Sequence, residues 1–434
     1  MANKERSLSE LYAEDPERAD YLVFGRVAHS DRRGFLKGAG LAAMGAAIGA
    51  TIPFHRNMPA GLVPQALAAV EGFVIEGKDG LTVLGDRPVN AETPAHLLDD
   101  DITPIERHFI RNNGMVPTDV DPATWTLRVD GEVDNELELS IDDLKNQFEV
   151  VTYALQIECG GNGRSAFNPP ARGNQWTVGA VGNSQWTGVR MRDVLMAAGV
   201  RDSFVYTGHY GADPHLSGDP EKDAISRGIP AYKAMDPYTL IAFEQNGGPI
   251  HLMNGAPLRV VAPGYPGSAS QKWLTRIWAR DQEHDGEKMG GMSYRVPGYT
   301  VEPGAEVPTE DMVVMGPMPV KSLITSPEDG LALPAGTTSV DVRGQAWVGE
   351  GFISRVDVSV DFGKTWHQAD LHAPPNPFSW QRWTATLPLP GRGYYEVWSR
   401  ATDSEGNQQP FAVSWNPRGY NNNTMHRIGL TVAA

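Results

Sequence analysis

Trp125, Leu127 and Val129 alternate with polar residues and stop at Asp130-Gly131, the pattern of a half-buried strand ended by a turn. Val151, Tyr153, Leu155 and Ile157 alternate in the same way and run straight into Cys159. Val189 to Ala198 predicts a helix stopped by Gly199, and Leu258 to Val261 a strand ending at Pro263-Gly264. Strands and helices therefore alternate from about Thr124 to Arg280, the mark of a mixed α+β domain. From Gly316 the pattern changes. Val356, Val358 and Val360 alternate up to a hairpin turn at Asp361-Phe362-Gly363-Lys364, and Tyr395, Val397 and Ser399 form the next clear strand. Short strands without helices predict an all-β, immunoglobulin-like sandwich. The predicted fold class is thus α+β, with a mixed α/β domain over 69–315 and the sandwich over 316–434. Gly316-Pro317-Met318-Pro319 reads as the linker, and Trp366, Trp383 and Trp398 as sandwich core.

The first 68 residues have another character. Adjacent Arg32 and Arg33 precede Phe35-Leu36-Lys37, a small apolar run from Gly38 to Phe54, and Ala66-Leu67-Ala68. Twin arginines, an h-region and a small-x-small site describe a twin-arginine export signal, cleaved after Ala68 and directing the protein to the periplasm. The apolar run is too short, and too rich in Gly, for a membrane anchor of about 20 residues. Export of folded protein by this route hints at a cofactor inserted before transport.

Composition narrows the chemistry. The 434 residues carry a net charge of −16, which argues against a nucleic-acid partner and suits a basic protein partner. A single cysteine, Cys159, rules out an internal disulfide, a cysteine-pair zinc site and a covalently attached haem. Cys159 sits in Ile157-Glu158-Cys159-Gly160-Gly161-Asn162-Gly163-Arg164. A thiol at a strand end, beside glycine-exposed backbone N–H groups and an arginine, is biased toward thiolate. A buried structural thiol on a tight turn is the competing reading. A hydrolytic nucleophile would need a nearby histidine base, whereas a metal ligand needs none. His209, Asp213 and His215 lie close in sequence, but their spacing fits no common zinc pattern.

Taken together, Phe109-Ile110-Arg111-Asn112, the Cys159 segment, Gly173-Asn174-Gln175-Trp176, Ala234-Met235-Asp236-Pro237, Asn254-Gly255-Ala256-Pro257-Leu258-Arg259, Lys272-Trp273-Leu274 and Trp415-Asn416-Pro417-Arg418-Gly419-Tyr420 resemble the sulfite oxidase family of molybdenum enzymes. The resemblance spans nearly all of the chain beyond the export signal. It implies that Cys159 binds molybdenum beside one molybdopterin. Arg111, Asn112, Asp213, Asn254, Arg259 and Lys272 fall where the family holds the pterin and its phosphate, and Arg111, Arg164, Trp176, Tyr294 and Arg418 where it lines the catalytic oxyanion pocket. Arginine forks suit such anions, and a tyrosine can relay a proton. Asn113, Gly163 and Asn254 depart from the animal and plant members, and no cytochrome b5 domain precedes the molybdenum domain. Those departures look like the molybdenum subunits of bacterial sulfane dehydrogenases.

The resemblance implies a sulfite or sulfane dehydrogenase working by oxygen-atom transfer. Its electrons pass to a separate c-type cytochrome, since this chain has no haem motif. A sulfur-carrier protein is a further expected partner, and the expected assembly is a homodimer, or a heterotetramer with the cytochrome. Two rivals stand beside it: a molybdenum sulfoxide reductase, and a metal-free binding or assembly subunit.

Overall fold

The computed structural model describes residues 73–434; the twin-arginine segment and the Ala66–Ala68 site lie outside them. The first half is built mainly from two sheets. One orders Gly248–Pro249, Leu240–Gln245, Val181–Arg190 and Val150–Glu158, with Arg259–Val261 also paired to Leu240–Gln245. The other orders Leu137–Ser140, Thr126–Gly131, Leu274–Arg280 and Tyr206–Gly211.

Period-two alternation buries both faces of the first sheet. Ile241, Phe243 and Val260 point into a core shared with Leu127, Val129 and Ile277 of the second sheet. Leu240, Ala242 and Val261 point the other way, toward Leu155, Ile157, Cys159, Trp176 and Trp186.

Helices are fewer than the sequence pattern predicts. Among the described residues the α-helices are Ile141–Gln147, Met191–Ala198 and Ala231–Ala234, and the chain is mostly β. The reason is topological. Nearly every neighbouring strand pair is antiparallel. Within these two sheets the only parallel pair is Leu274–Arg280 with Thr126–Gly131, so few helical crossovers are needed. The predicted helix at Val189 starts two residues later, because Val189 and Arg190 still pair with Ile241 and Leu240. Gly199 caps it in the left-handed conformation, φ 70°.

The second half is a two-sheet sandwich. Lys321–Ser326, Ser339–Trp347, Gln381–Pro388 and Asp370–Leu371 form one sheet. Leu331–Leu333, His426–Val432, Gly393–Asp403, Ile353–Ser359 and His367–Gln368 form the other. Val342, Val356, Val358, Trp383, Val397 and Leu430 fill the space between them. Of the three tryptophans expected there, only Trp383 is in that core. Trp398 instead stacks beside Phe411, 5.3 Å away, with Arg427 over its ring, and Trp366 carries Arg400 at 4.2 Å. Trp398 falls on the outward phase of its strand, between inward-facing Val397 and Ser399. The Pro-rich stretch read as a linker is pinned: Met318 N donates to Gly264 O and Met318 O accepts from Gly349 N, both at 2.8 Å.

Candidate active site

The strand Val150–Glu158 delivers Cys159 to the wall of a cavity. Ile157 and Cys159 line it, and Glu158 between them points to the opposite side. The other walls come from Arg111 at the end of Ile110–Arg111, from Asp213 just past Tyr206–Gly211, and from Asn254, Arg259 and Lys272 around Arg259–Val261. Tyr294 closes one side.

The cavity is strongly cationic. Arg259 is buried and donates only to backbone carbonyls, to Ser270 O at 3.1 Å and to the carbonyls of Asn254 and Val260. Burial alone pulls its guanidinium down to about 9. Lys272 contacts the Asn112 side chain and donates to Met253 O at 2.8 Å. Burial first, and then the neighbouring Arg259, hold its ammonium well below the ordinary value. Lys78 donates to His108 O at 3.0 Å and to the Asn254 side chain, and burial lowers it to about 7. Among the described residues none of Lys78, Arg111, Arg259 or Lys272 lies within ion-pair distance of a carboxylate. The carboxyl in the wall, Asp213, is pushed up to about 6 by burial, against the pull of Lys272. Several buried basic side chains with a single acid in the wall cost folding energy unless an anion joins them.

Tyr294, like Trp273 in the same cavity lining, has a strained backbone. Its φ is 52°, a left-handed conformation that costs a bulky residue about 1–2 kcal/mol. Its hydroxyl donates to Asn113 Oδ1 at 3.2 Å and accepts from Arg111 Nη2 at 3.4 Å. Arg111 also donates to Asn113 Oδ1 at 2.9 Å.

Three expected pocket residues stand elsewhere. The Arg164 guanidinium donates from Nε to Arg418 O at 2.7 Å and from Nη1 to Asn174 O at 2.9 Å, and lies over the Tyr420 ring. It fills the room the glycines leave: a Cβ on Gly161 would sit 2.3 Å from its Nη2, and one on Gly173 2.8 Å from its Nη1. Of the glycines in the cysteine motif Gly161 makes room for Arg164, while Gly160 lies against Met315 and Gly163 against Asn422. Trp176 is fully buried and packs in the cluster that holds Cys159. Arg418 reaches this region through its carbonyl. None of the three is among the residues lining the cavity. Asn112 is behind the wall, gripping Lys272. His209 is buried and His215 bonds Ser217 at the surface, and among the described residues no three His, Cys, Asp or Glu side chains gather as a protein-only metal site requires.

Lys78, His108, Asn113, Ser268, Ser270 and Gln271 also bear on the cavity. The small polar run Gly267-Ser268-Ala269-Ser270-Gln271 before Lys272 was a readable signal for a strand-end loop, whereas Lys78 had none.

A buried thiol among cations without carboxylate partners fits a metal held by one cysteine and an anionic cofactor. The family model described as oxidoreductase molybdopterin binding domain matches residues 113–288, and that of the Mo-co oxidoreductase dimerisation domain matches 313–433. Sulfite oxidase of Gallus gallus is 35% identical over 367 residues, covering 80% of this chain and 77% of that protein. The NAD(P)H nitrate reductase of Hordeum vulgare is 30% identical over 398 residues, covering 85% of this chain and 44% of that protein. The crystal structure of the sulfane dehydrogenase SoxCD from Paracoccus pantotrophus matches with a TM-score of 0.67 at 27% identity, covering 87% of this chain and 94% of that chain. Fold, site and family models define a molybdopterin-binding oxidoreductase. More narrowly, the chain belongs to the sulfite oxidase family.

Proposed function

We propose that this protein is a periplasmic, molybdenum-dependent dehydrogenase that oxidises sulfite, or sulfane sulfur carried on a protein, and passes the electrons to a c-type cytochrome. The observation that carries the reading is the buried Cys159 thiol in a cavity whose arginines and lysines lack carboxylate partners. Similarity to sulfite oxidase and to a sulfane dehydrogenase supports the substrate class. The twin-arginine segment supports export.

When bound, molybdenum with one molybdopterin supplies two-electron oxygen-atom exchange. Cys159 would hold the metal. Arg259, Lys272 and Lys78 would neutralise the cofactor's phosphate by charge-assisted hydrogen bonds, with Asn112, Asn254 and Asp213 setting their positions. Arg111 is placed to bind a sulfur oxyanion. Tyr294, bonded to Asn113 and Arg111, is placed to hold or release a proton at its hydroxyl. Arg164, Trp176 and Arg418 act here from behind the wall, fixing the cysteine loop. In this reading residues 69–315 form a mixed α/β cofactor domain and residues 316–434 an immunoglobulin-like domain that pairs two copies.

The test is sulfite-dependent reduction of ferricytochrome c by purified protein shown to contain molybdenum. Rapid reduction is the expected result. No reduction with sulfite, together with turnover of methionine sulfoxide by reduced dyes, would replace the reading with a reductase; absence of molybdenum in exported protein would replace it with a metal-free subunit.

A further inference from the structure

Arg227 lies in Ser226-Arg227-Gly228-Ile229-Pro230, beside the strand Tyr206–Gly211, where its backbone bridges to His209. The segment is clamped there: a Cβ on Gly228 would lie 1.6 Å from Thr207 O. The side chain is 1% exposed. Its Nη1 donates to Lys288 O at 3.1 Å, its Nε has no hydrogen-bond partner, and among the described residues no carboxylate is in ion-pair range. Burial is the largest influence on it and lowers its affinity for a proton; the phenol of Tyr294 acts in the other direction. A guanidinium so placed is costly, and what it meets is an aromatic ring. Its Cζ lies 4.9 Å from the centre of the Tyr294 ring.

Tyr294 is, with Trp273, one of two cavity residues with a left-handed backbone. Its N–H donates to the Tyr420 hydroxyl at 3.3 Å, its carbonyl accepts from Met315 N at 3.1 Å, and its ring stacks on Tyr420 at 5.5 Å and 18°. A strained residue persists where its surroundings over-determine it. Arg227 is a charged member of those surroundings that lies outside the cavity wall, directly against the ring.

We propose that Arg227 is a positioning residue for Tyr294: its guanidinium fixes the phenol ring whose hydroxyl meets Arg111 and Asn113. This rests on the functional reading of the cavity. A desolvated cation on an aromatic face is an energetically significant contact, and here it acts through Tyr294 rather than on the reacting atoms.

The test is a double-mutant cycle on the molybdenum-loaded full chain. Arg227→Met is expected to lower kcat with sulfite about 10-fold, at unchanged molybdenum content and with less than about 2-fold change in KM. Arg227→Lys, which keeps the charge, is expected to recover most of kcat. In a Tyr294→Phe background Arg227→Met should add less than about 2-fold, because the two residues act as a unit. The cycle is read again without sulfite, in the electron paramagnetic resonance spectrum of the partly reduced loaded protein. There Arg227→Met should alter the spectrum of the parent and leave that of Tyr294→Phe unchanged. Additive effects in both readouts overturn the proposal, as does an Arg227→Lys variant as impaired as Arg227→Met. The spectral cycle answers even if sulfite is not a substrate, so failure of the functional reading is distinguishable from failure of the role of Arg227.

Discussion

On one side of the strand Val150–Glu158, Ile157 and Cys159 face a cavity lined by Arg111, Arg259 and Lys272, with Lys78 bonded behind its wall to His108 and Asn254, and none of the four has a carboxylate in ion-pair range among the described residues. On the other side, at the joint with the sandwich, Glu158 meets Lys321 and is saturated: it also accepts from Trp347 Nε1 at 2.9 Å and from Asn162 Nδ2 at 3.0 Å. Both regions are buried and highly polar, yet one is balanced within the chain and the other is not. A balanced buried pair resists the loss of either partner, because the survivor is left charged in a dry place. An unbalanced set is organised around an anion that the chain does not provide. Adjacent residues thus separate structure from function, and strand alternation is what points them apart.

That contrast can be broken experimentally. The largest effect is expected for Cys159→Ser, which should abolish turnover while the unfolding midpoint stays near that of the parent; an active Cys159→Ser variant would overturn the metal assignment. Lys321→Met should cost about 3–5 kcal/mol of stability by stranding Glu158. The double variant Glu158→Gln, Lys321→Met should restore most of it in denaturant unfolding. Replacing Lys272 or Arg259 by Met should affect cofactor retention more than folding. About 10-fold or more loss of bound molybdenum per removed cation is expected after dialysis, the scale of a hydrogen bond to a charged group.

The smallest effect concerns pH. Burial holds His209 at about 3, His284 and His426 at about 4, and His108 well below its ordinary value. These histidines bind fewer protons folded than unfolded, so they weaken the fold as pH falls below their ordinary value of 6.5. Burial holds Glu92 up at about 7 and Asp213 at about 6, which works in the opposite direction, but two acids oppose four histidines. The net loss should be about 2 kcal/mol per pH unit near pH 5.5, checked by urea midpoints at pH 7 and pH 5. His426 accepts from Ile324 N at Nδ1, 3.1 Å, so His426→Gln should flatten the slope by about 1 kcal/mol per pH unit.

How much of this was legible follows from range. The alternating strands and the cysteine at a strand end were readable because both signals are local. The cavity residues Arg111, Asp213, Asn254, Arg259, Lys272 and Tyr294 were reachable through motif resemblance, and the fold brings them to one wall. The orientation of Arg164, Trp176 and Arg418 was not reachable, because it depends on which carbonyls and glycines surround a guanidinium or indole. Arg227 reads in sequence like an ordinary surface arginine in a short loop. Lys321 is 163 positions from Glu158, with nothing in either neighbourhood to announce the pair. Trp398 was assigned to the sandwich core from its type, whereas its phase on the strand sends it outward.

The loop after Cys159 is closed from far downstream. Gly160 O accepts from Asn421 N at 3.1 Å, and Gly163 O from Asn422 Nδ2 at 2.7 Å, across a separation of 259 residues in the second case. A nascent chain therefore cannot finish the loop after Cys159 until Asn421 and Asn422 have been synthesised. A chain cut after Tyr420 would leave that loop unlatched.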